Sequence, residues 1–207
     1  MKRVLLSLVL ICVFLLTAAC SDQSFDDLDL TTYESRWGYT LSIPTDWEIT
    51  EDGDASCTFT NAAGDIILAT DVAAGTMEYQ TLEELCDELR TQMLDTLFET
   101  IETSKERGTE NAYRILLSGT DAQGTEVTVD VMIYSPFTSV HYYFTVTAQA
   151  EQYEKNSYII DGIFDSLTVT KTEDEIYAQI RADRTEQEEA ILEELSNSEE
   201  EDNQETE

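Results

Sequence analysis

Histidine is almost missing from the 207-residue sequence, which contains only His141. Most general acid–base and triad mechanisms use a histidine, so such chemistry would depend on this one residue. We expect His141 instead to be a partly covered strand residue beside Tyr142 and Tyr143. No glycine-rich phosphate loop and no Gly-x-Ser-x-Gly elbow occur, and the cysteine and histidine spacing matches no zinc pattern. The sequence therefore predicts no catalytic residue, no metal site and no cofactor.

Basic side chains are also scarce, since 11 Lys and Arg stand against 44 Asp and Glu, a formal net charge of −33. Nucleic-acid binding depends on Lys and Arg displacing counterions from phosphates, so this composition argues against a nucleic-acid partner. The same charge repels anionic lipid headgroups. Attachment to a bilayer would therefore need a covalent lipid and not a basic patch.

The N-terminus has the layout of a secretory signal peptide: two basic residues, an apolar run over 4–16, and small residues. The run is shorter than the roughly 20 residues of a membrane-spanning helix. Leu16-Thr17-Ala18-Ala19-Cys20 resembles the bacterial lipobox, although Thr17 stands where Leu is favoured. We expect cleavage before Cys20 and lipidation of its thiol, which would place the chain on the extracytoplasmic face of a bacterial membrane. An ordinary signal peptide is the alternative.

Composition divides the chain into five stretches. The 188 residues from Cys20 onward carry 9 basic and 44 acidic side chains, a net charge near −35. The predicted stretches are a signal peptide at 1–19, an acidic tether at 20–32, a folded domain at 33–170, a helical extension at 171–195 and a disordered acidic tail at 196–207.

Apolar periodicity predicts an α+β domain with a mainly antiparallel sheet. A turn-forming group at 61–65 predicts a hairpin, and short loops join three further strands as antiparallel neighbours. Thr81 and Glu84 form a capping box before a helix that we expect to run to Ile101. The strands are predicted at 39–43, 57–59, 66–69, 112–118, 126–134, 140–148 and 167–169, and a second helix at 152–164.

The segment Gly38-Tyr39-Thr40-Leu41-Ser42-Ile43-Pro44-Thr45-Asp46-Trp47 resembles the opening of PsbP-like domains. The order of the following elements and a closing phrase, Ile163-Phe164-Asp165-Ser166-Leu167, extend the resemblance to nearly the whole body. Pro44 should end a strand and Trp47 should fold its ring over the core. The resemblance implies an α/β/α sandwich that acts by binding partners and not by catalysis, and many bacterial relatives are lipoproteins without an assigned role.

Two groups of charged residues are candidate sites. Asp130 lies on the opposite strand face from its valine neighbours, so a helix over that face would require a partner, for which we expect Arg114. Glu51-Asp52-Gly53-Asp54 could hold calcium through carboxylate oxygens, but it lacks the spacing of an EF-hand and is expected to be a solvated turn.

Cys57 and Cys86 would remain in the exported chain, where disulfides can form. Both are predicted to point inward, Cys57 from a strand and Cys86 from the apolar stripe of the first long helix. They could form a bridge between sheet and helix, or remain buried free thiols that behave as small hydrophobic side chains.

The C-terminal region begins with Thr172 and Glu175, a second capping box. Ile176, Ile180, Ile191 and Leu195 share one helical face, so the extension either binds a partner or is a solvated, frayed helix. The expected function is a lipid-anchored binding or accessory module without catalysis, with a protein partner. Two alternatives remain: a carboxylate-dependent hydrolase of the cell envelope and an acidic, calcium-responsive surface protein.

Overall fold

Two antiparallel sheets and three helices make up the part of the chain that the computed structural model describes, residues 23–53, 56–74 and 81–182, with the backbone alone at 93–95 and 102–105. A 3-10 helix at Phe25–Asp27 precedes the first strand. The strands are β1 (Leu30–Glu34), β2 (Tyr39–Pro44), β3 (Glu48–Asp52), β4 (Ser56–Thr60), β5 (Ile66–Ala74), β6 (Thr100–Gly108), β7 (Ala112–Thr120), β8 (Glu126–Tyr134), β9 (Val140–Gln149) and β10 (Thr168–Val169). The helices are α1 (Leu82–Leu97), α2 (Ala150–Asp165) and α3 (173–182).

The larger sheet has the strand order β3-β4-β5-β9-β8-β7-β6, and the smaller has β1-β2-β10. Strand alternation gives the larger sheet two apolar faces. One face packs against α2 and the smaller sheet in the main core, which includes Leu41, Phe144 and Ile160. The other packs against α1 through a second cluster that includes Leu117 and Val131. Helices therefore cover both faces of the larger sheet, which confirms the predicted α+β sandwich with a mainly antiparallel sheet.

The predicted strand pairs are confirmed. β4 and β5 form the expected hairpin, and β7, β8 and β9 form an antiparallel meander. Val129, Val131 and Ile133 all face α1, as their alternation predicts. No helix within the described residues is long and apolar enough to cross a membrane.

The Pro44 and Trp47 corner packs as predicted. Pro44 is the last residue of β2, and the Trp47 backbone N–H donates to its carbonyl oxygen at 3.0 Å. The Trp47 side chain is buried in the main core. At the start of the same motif, Gly38 has a φ of +81°, a left-handed conformation that favours glycine.

The helix α1 begins as predicted but ends earlier. Thr81 Oγ1 accepts a hydrogen bond from the Glu84 backbone N–H at 3.2 Å. The helix ends at Leu97, and Phe98 has extended backbone angles. The expected end at Ile101 is wrong because Ile101 belongs to β6, a strand that the apolar pattern did not predict. Ile101 packs against the same cluster as α1, which explains why the apolar spacing continued past the helix.

The predicted acidic tether at 20–32 is wrong for the residues that the structure describes. Residues 25–27 form the 3-10 helix, and β1 pairs with β2 from Leu30 onward. The ring of Phe25 lies against Gly162 of α2, where an added Cβ would be 2.5 Å from Phe25 Cδ1. The folded body therefore begins near residue 24, and Cys20 lies outside the described residues.

The first part of the predicted helical extension packs on the domain. Thr172 and Glu175 form the expected reciprocal capping box, with Thr172 N–H donating to Glu175 Oε2 at 2.8 Å. Ile176 of α3 is completely buried in the main core, so a solvated extension is wrong for this segment. Ile191 and Leu195 lie outside the described residues, so their proposed partner-binding role stays a prediction.

The close contact between Gly162 and Phe25 generates a stability prediction. Gly162→Ala should destabilise the chain by about 1–3 kcal/mol because the new methyl displaces the Phe25 ring. In a Phe25→Ala background the same change should stabilise by up to about 1 kcal/mol, because alanine favours helix more than glycine does. Urea unfolding of the four chains measures both values, and an effect of equal sign in the two backgrounds would contradict the contact.

Candidate functional site

Asp130 is a charged residue that has been fully removed from solvent, with 0% of its surface exposed. It lies on the α2 face of β8, opposite Leu116 of β7. Arg114, also on β7, donates from Nε to Asp130 Oδ1 at 2.8 Å and from Nη2 to Oδ2 at 2.5 Å. This two-bond pairing compensates the buried carboxylate and confirms the predicted ion pair.

Helix α2 supplies further partners to this pair. The Tyr153 hydroxyl donates to Asp130 Oδ2 at 2.5 Å and accepts a hydrogen bond from Arg114 Nη2 at 3.3 Å. Asp161 Oδ1 lies 2.6 Å from Arg114 Nη1. The Arg114 guanidinium carbon also lies 4.8 Å from the ring centre of Phe164, within the range of a cation–π contact. We call Arg114, Asp130, Tyr153 and Asp161 the Arg114 cluster.

Arg114 and Tyr153 hold their protons firmly. Burial by itself would lower the pKa of Arg114, but its hydrogen bonds to Asp130, the charge of that carboxylate and Asp161 raise the pKa above its ordinary value. Burial raises the pKa of Tyr153, and the neighbouring charge of Asp130 raises it further. Both groups therefore stay protonated near neutral pH and are poor candidates for proton transfer.

A cleft of about 330 Å³ opens beside this cluster, between β6, β7 and α2, and we call it the α2 cleft. Leu116, Tyr153 and Ser157 are among its lining residues. Arg107 of β6 also lines it and lies directly opposite Arg114 in the strand register. Arg107 was not predicted as a site residue, although Lys105, Arg107 and Arg114 are three of the few basic residues and lie within ten positions of the sequence.

His141 is buried, with 3% of its surface exposed, and not partly covered as predicted. Its Nδ1 lies 2.7 Å from Ser135 Oγ, whereas Nε2 has no hydrogen-bond partner in the part of the chain that the structure describes. Burial lowers the pKa of its imidazole. His141 points to the α1 face because it alternates with Val140 and Tyr142 of the main core. It therefore lies across the sheet from the α2 cleft and cannot share a substrate with it.

Cys57 and Cys86 are both buried free thiols. Cys57 belongs to the main core on the α2 face, while Cys86 belongs to the cluster beneath α1. The possible disulfide is therefore wrong, because the sheet separates the two side chains. Each side chain points inward, as predicted, but α1 covers the face of the sheet opposite to the one on which Cys57 lies. Burial raises the pKa of both thiols, that of Cys86 to about 12.

The acidic candidates do not converge within the described residues. Glu51 and Asp52 are exposed neighbours in the edge strand β3, where successive side chains point to opposite sides, and Asp54 lies outside the described residues. No group of three or more potential metal ligands occurs among the described side chains. Burial raises the pKa of Asp71, which lines a cavity of about 420 Å³ with Leu89 and Tyr143. Among the described side chains, Asp71 is the only carboxylate that lines this cavity.

Comparison with known proteins gives a fold and no family. No protein-family model and no curated protein sequence matches the chain. The Ran-binding protein Mog1p of Saccharomyces cerevisiae matches with a TM-score of 0.53 at 10% identity, over 69% of this chain and 96% of that protein. A Mog1 point mutant matches with a TM-score of 0.55 at 10% identity, over 72% and 100%. The chain has the Mog1/PsbP-like fold.

Cyanobacterial PsbP from Synechocystis sp. PCC 6803 also matches, with a TM-score of 0.49 at 13% identity, over 73% of this chain and 97% of that one. The predicted PsbP-like fold is confirmed by the two Mog1 matches, whose TM-scores are above 0.5. Identities this low show the fold alone.

The buried carboxylate of Asp130 should be essential for stability. Asp130→Asn should cost about 3–5 kcal/mol, because it leaves the Arg114 guanidinium without its buried counter-charge. Asp161→Asn removes a carboxylate from the same arginine, but its side chain is 56% exposed, so the loss should stay below about 1 kcal/mol. Urea unfolding measures both. Replacing the pair together, Arg114→Met with Asp130→Leu, should recover most of the stability, and equal losses in the two single variants would contradict this account.

His141 should make stability depend on pH. An unfolded histidine has a pKa of about 6.5, and burial lowers the folded value, so the unfolded chain binds the proton first. The contribution of His141 is fully present above pH 6.5 and falls as the pH drops toward the folded pKa. His141→Phe should remove this part of the pH dependence. The free energy of unfolding that is lost at low pH in the wild type amounts to about 1.4 kcal/mol per unit of difference between the unfolded and folded pKa of His141. The free energy of unfolding of the wild type and of His141→Phe, measured between pH 7.5 and 5, tests this. The other titrating groups are the same in both chains, so their effect cancels in the difference. A difference that does not change with pH would contradict the prediction.

Proposed function

We propose that this chain is a lipid-anchored, extracytoplasmic binding module without catalytic activity. The observation that carries the binding role is the pair of Arg114 and Tyr153, which keep their protons near neutral pH and line an open cleft. Arg114 offers a ligand fixed charge and a hydrogen-bond donor, and neither Arg114 nor Tyr153 is poised to exchange a proton. The His141 imidazole, which could do so, lies buried across the sheet.

The proposed anchor follows from the Leu16-Thr17-Ala18-Ala19-Cys20 motif after an apolar run. The net charge supports a covalent lipid as the means of attachment, because an acidic surface gains nothing from anionic headgroups. Phe25 is fixed against α2, and five residues extend at most about 17 Å. A lipid on Cys20 would therefore hold the domain close to the bilayer and not on a long tether.

The partner class proposed for this module is a protein of the same envelope, together with the membrane itself. The yeast relative in fold is described as a Ran-binding protein, so the same architecture serves protein binding elsewhere. The likeness supports protein binding as a use of this fold and does not identify the partner of this chain. Nucleic acid is a poor partner for a chain with 44 acidic and 11 basic side chains.

The anchor is tested by expression of the full chain in a bacterium and separation of membrane and soluble fractions. The wild type should enter the detergent phase, and its N-terminal peptide should begin at a Cys20 that carries the mass of a diacylglyceryl group. Cys20→Ser should remove the lipid and leave the protein out of the detergent phase, because no other thiol lies at the cleavage site.

Cys12→Ser is the matched control, because it makes the same exchange within the apolar run and should keep the lipid. An unmodified N-terminal peptide in the wild type, or a Cys20→Ser protein that still carries a lipid, would contradict the proposed anchor.

A further inference from the structure

The α2 cleft has apolar walls beside an unusual pair of arginines. Leu116 and the ring of Tyr153 contribute apolar surface, and the aliphatic stems of Arg107 and Arg114 add to it. Ser157 directs its hydroxyl to the Glu154 carbonyl oxygen at 3.1 Å and so donates nothing into the cleft. At about 330 Å³ the cleft is at the lower end of the range for small-molecule sites.

The two arginines differ in how their charges are compensated. They lie directly opposite each other on neighbouring strands, an arrangement that disfavours like charges. Arg114 is neutralised by Asp130 and Asp161. Arg107 is exposed, and no described side chain forms a hydrogen bond or ion pair with its guanidinium. An uncompensated guanidinium at the edge of a cleft is unexpected in a chain with a net charge of −33.

The free hydrogen-bonding groups of the two arginines are all donors. Four of the five N–H groups of Arg114 are used by Asp130, Tyr153 and Asp161, which leaves one on Nη1. Arg107 adds all five of its own. The Tyr153 hydroxyl proton is committed to Asp130. A complementary ligand must therefore present acceptor oxygens to these guanidinium groups.

The local charge selects a monoanion. Arg107 and Arg114 carry two positive charges on the α2 face, and Asp130 and Asp161 carry two negative charges there. Glu106 also borders the cleft, but its carboxylate is bound by Arg90 of α1 and by the Tyr113 hydroxyl, so the charges of the α2 face balance before a ligand binds. A single carboxylate adds one negative charge, whereas a phosphate dianion would add two within an already acidic protein. The planar fork of a guanidinium matches a carboxylate in two-bond geometry.

We propose that the α2 cleft binds a small apolar carboxylate, with its head on the Arg107 guanidinium and its apolar part against Leu116 and Tyr153. The ligand is either a free short-chain acid or the C-terminal residue of a peptide, since both present the same chemistry. This inference specifies the proposed binding role, but it does not depend on the anchor, because the cleft is formed by the folded body alone.

Calorimetry of the full-length chain expressed without lipid, as Cys20→Ser, tests the proposal with hexanoate, acetate, hexanamide and inorganic phosphate. Hexanoate should bind, and it should bind more tightly than acetate because acetate lacks the apolar part. Hexanamide and phosphate should bind at least about tenfold more weakly, since one lacks the charge and the other lacks the apolar part and adds a second charge. A tripeptide ending in leucine, with a free or an amidated C-terminus, separates the two sources of carboxylate.

Arg107→Gln should weaken hexanoate binding about tenfold, whereas Asp161→Asn should tighten it by removing a nearby negative charge. Lys155→Gln is the matched control: it removes one positive charge from an exposed position on α2 that does not line the cleft, and should leave binding unchanged. Equal weakening by Arg107→Gln and Lys155→Gln, equal binding of hexanamide, or no binding by the parent chain would overturn the proposal. None of these results would bear on lipidation of Cys20, which the detergent-phase experiment decides separately.

Discussion

The charge of Asp130 is the constraint on which the arrangement of the α2 face depends. A carboxylate with no exposed surface has to recover its lost hydration from protein donors, and here it does so from one neighbouring strand and one helix. Arg114 brings β7 into this network, and Tyr153 and Asp161 bring α2. Because hydrogen bonds are directional, the cluster fixes how α2 lies across the strands more tightly than apolar contact could. The α2 cleft exists because the helix is held in this position.

The two faces of the large sheet are therefore stabilised differently. On the α1 face the cluster beneath α1 is apolar, and His141 is a buried polar residue of that face. The ion pairs of Arg90 with Asp87 and Glu106 lie at the partly exposed surface, where such pairs contribute little. On the α2 face a fully buried charge is added to an aromatic core. Replacing a buried ion pair by apolar side chains often changes stability little, so a role in positioning α2 explains the Arg114 cluster better than stability does.

Patterns within single elements could be predicted from the sequence, and relations between elements could not. Alternation in β7 and β8 was enough to place Asp130 and Arg114 together, because neighbouring strands share a face. It could not supply Tyr153 or Asp161, whose approach depends on how α2 packs. Cys57 and Cys86 were each correctly directed inward, but no local pattern says which face of a sheet a helix covers. The strand β6 was missed because its charged residues lack apolar alternation, and Arg107 was missed with it.

The N-terminal segment and the α2 cleft converge on one helix. Gly162, which accommodates the Phe25 ring, directly follows Asp161, which holds Arg114. On a helix, residues 153, 157 and 161 follow at intervals of four and form one side, so the cleft-lining groups share a face and Gly162 lies about 100° from Asp161. The segment that leads to Cys20 therefore leaves the domain from the helix that borders the cleft. If Cys20 carries a lipid, the short connection sets the distance of the cleft from the bilayer as well as of the domain as a whole.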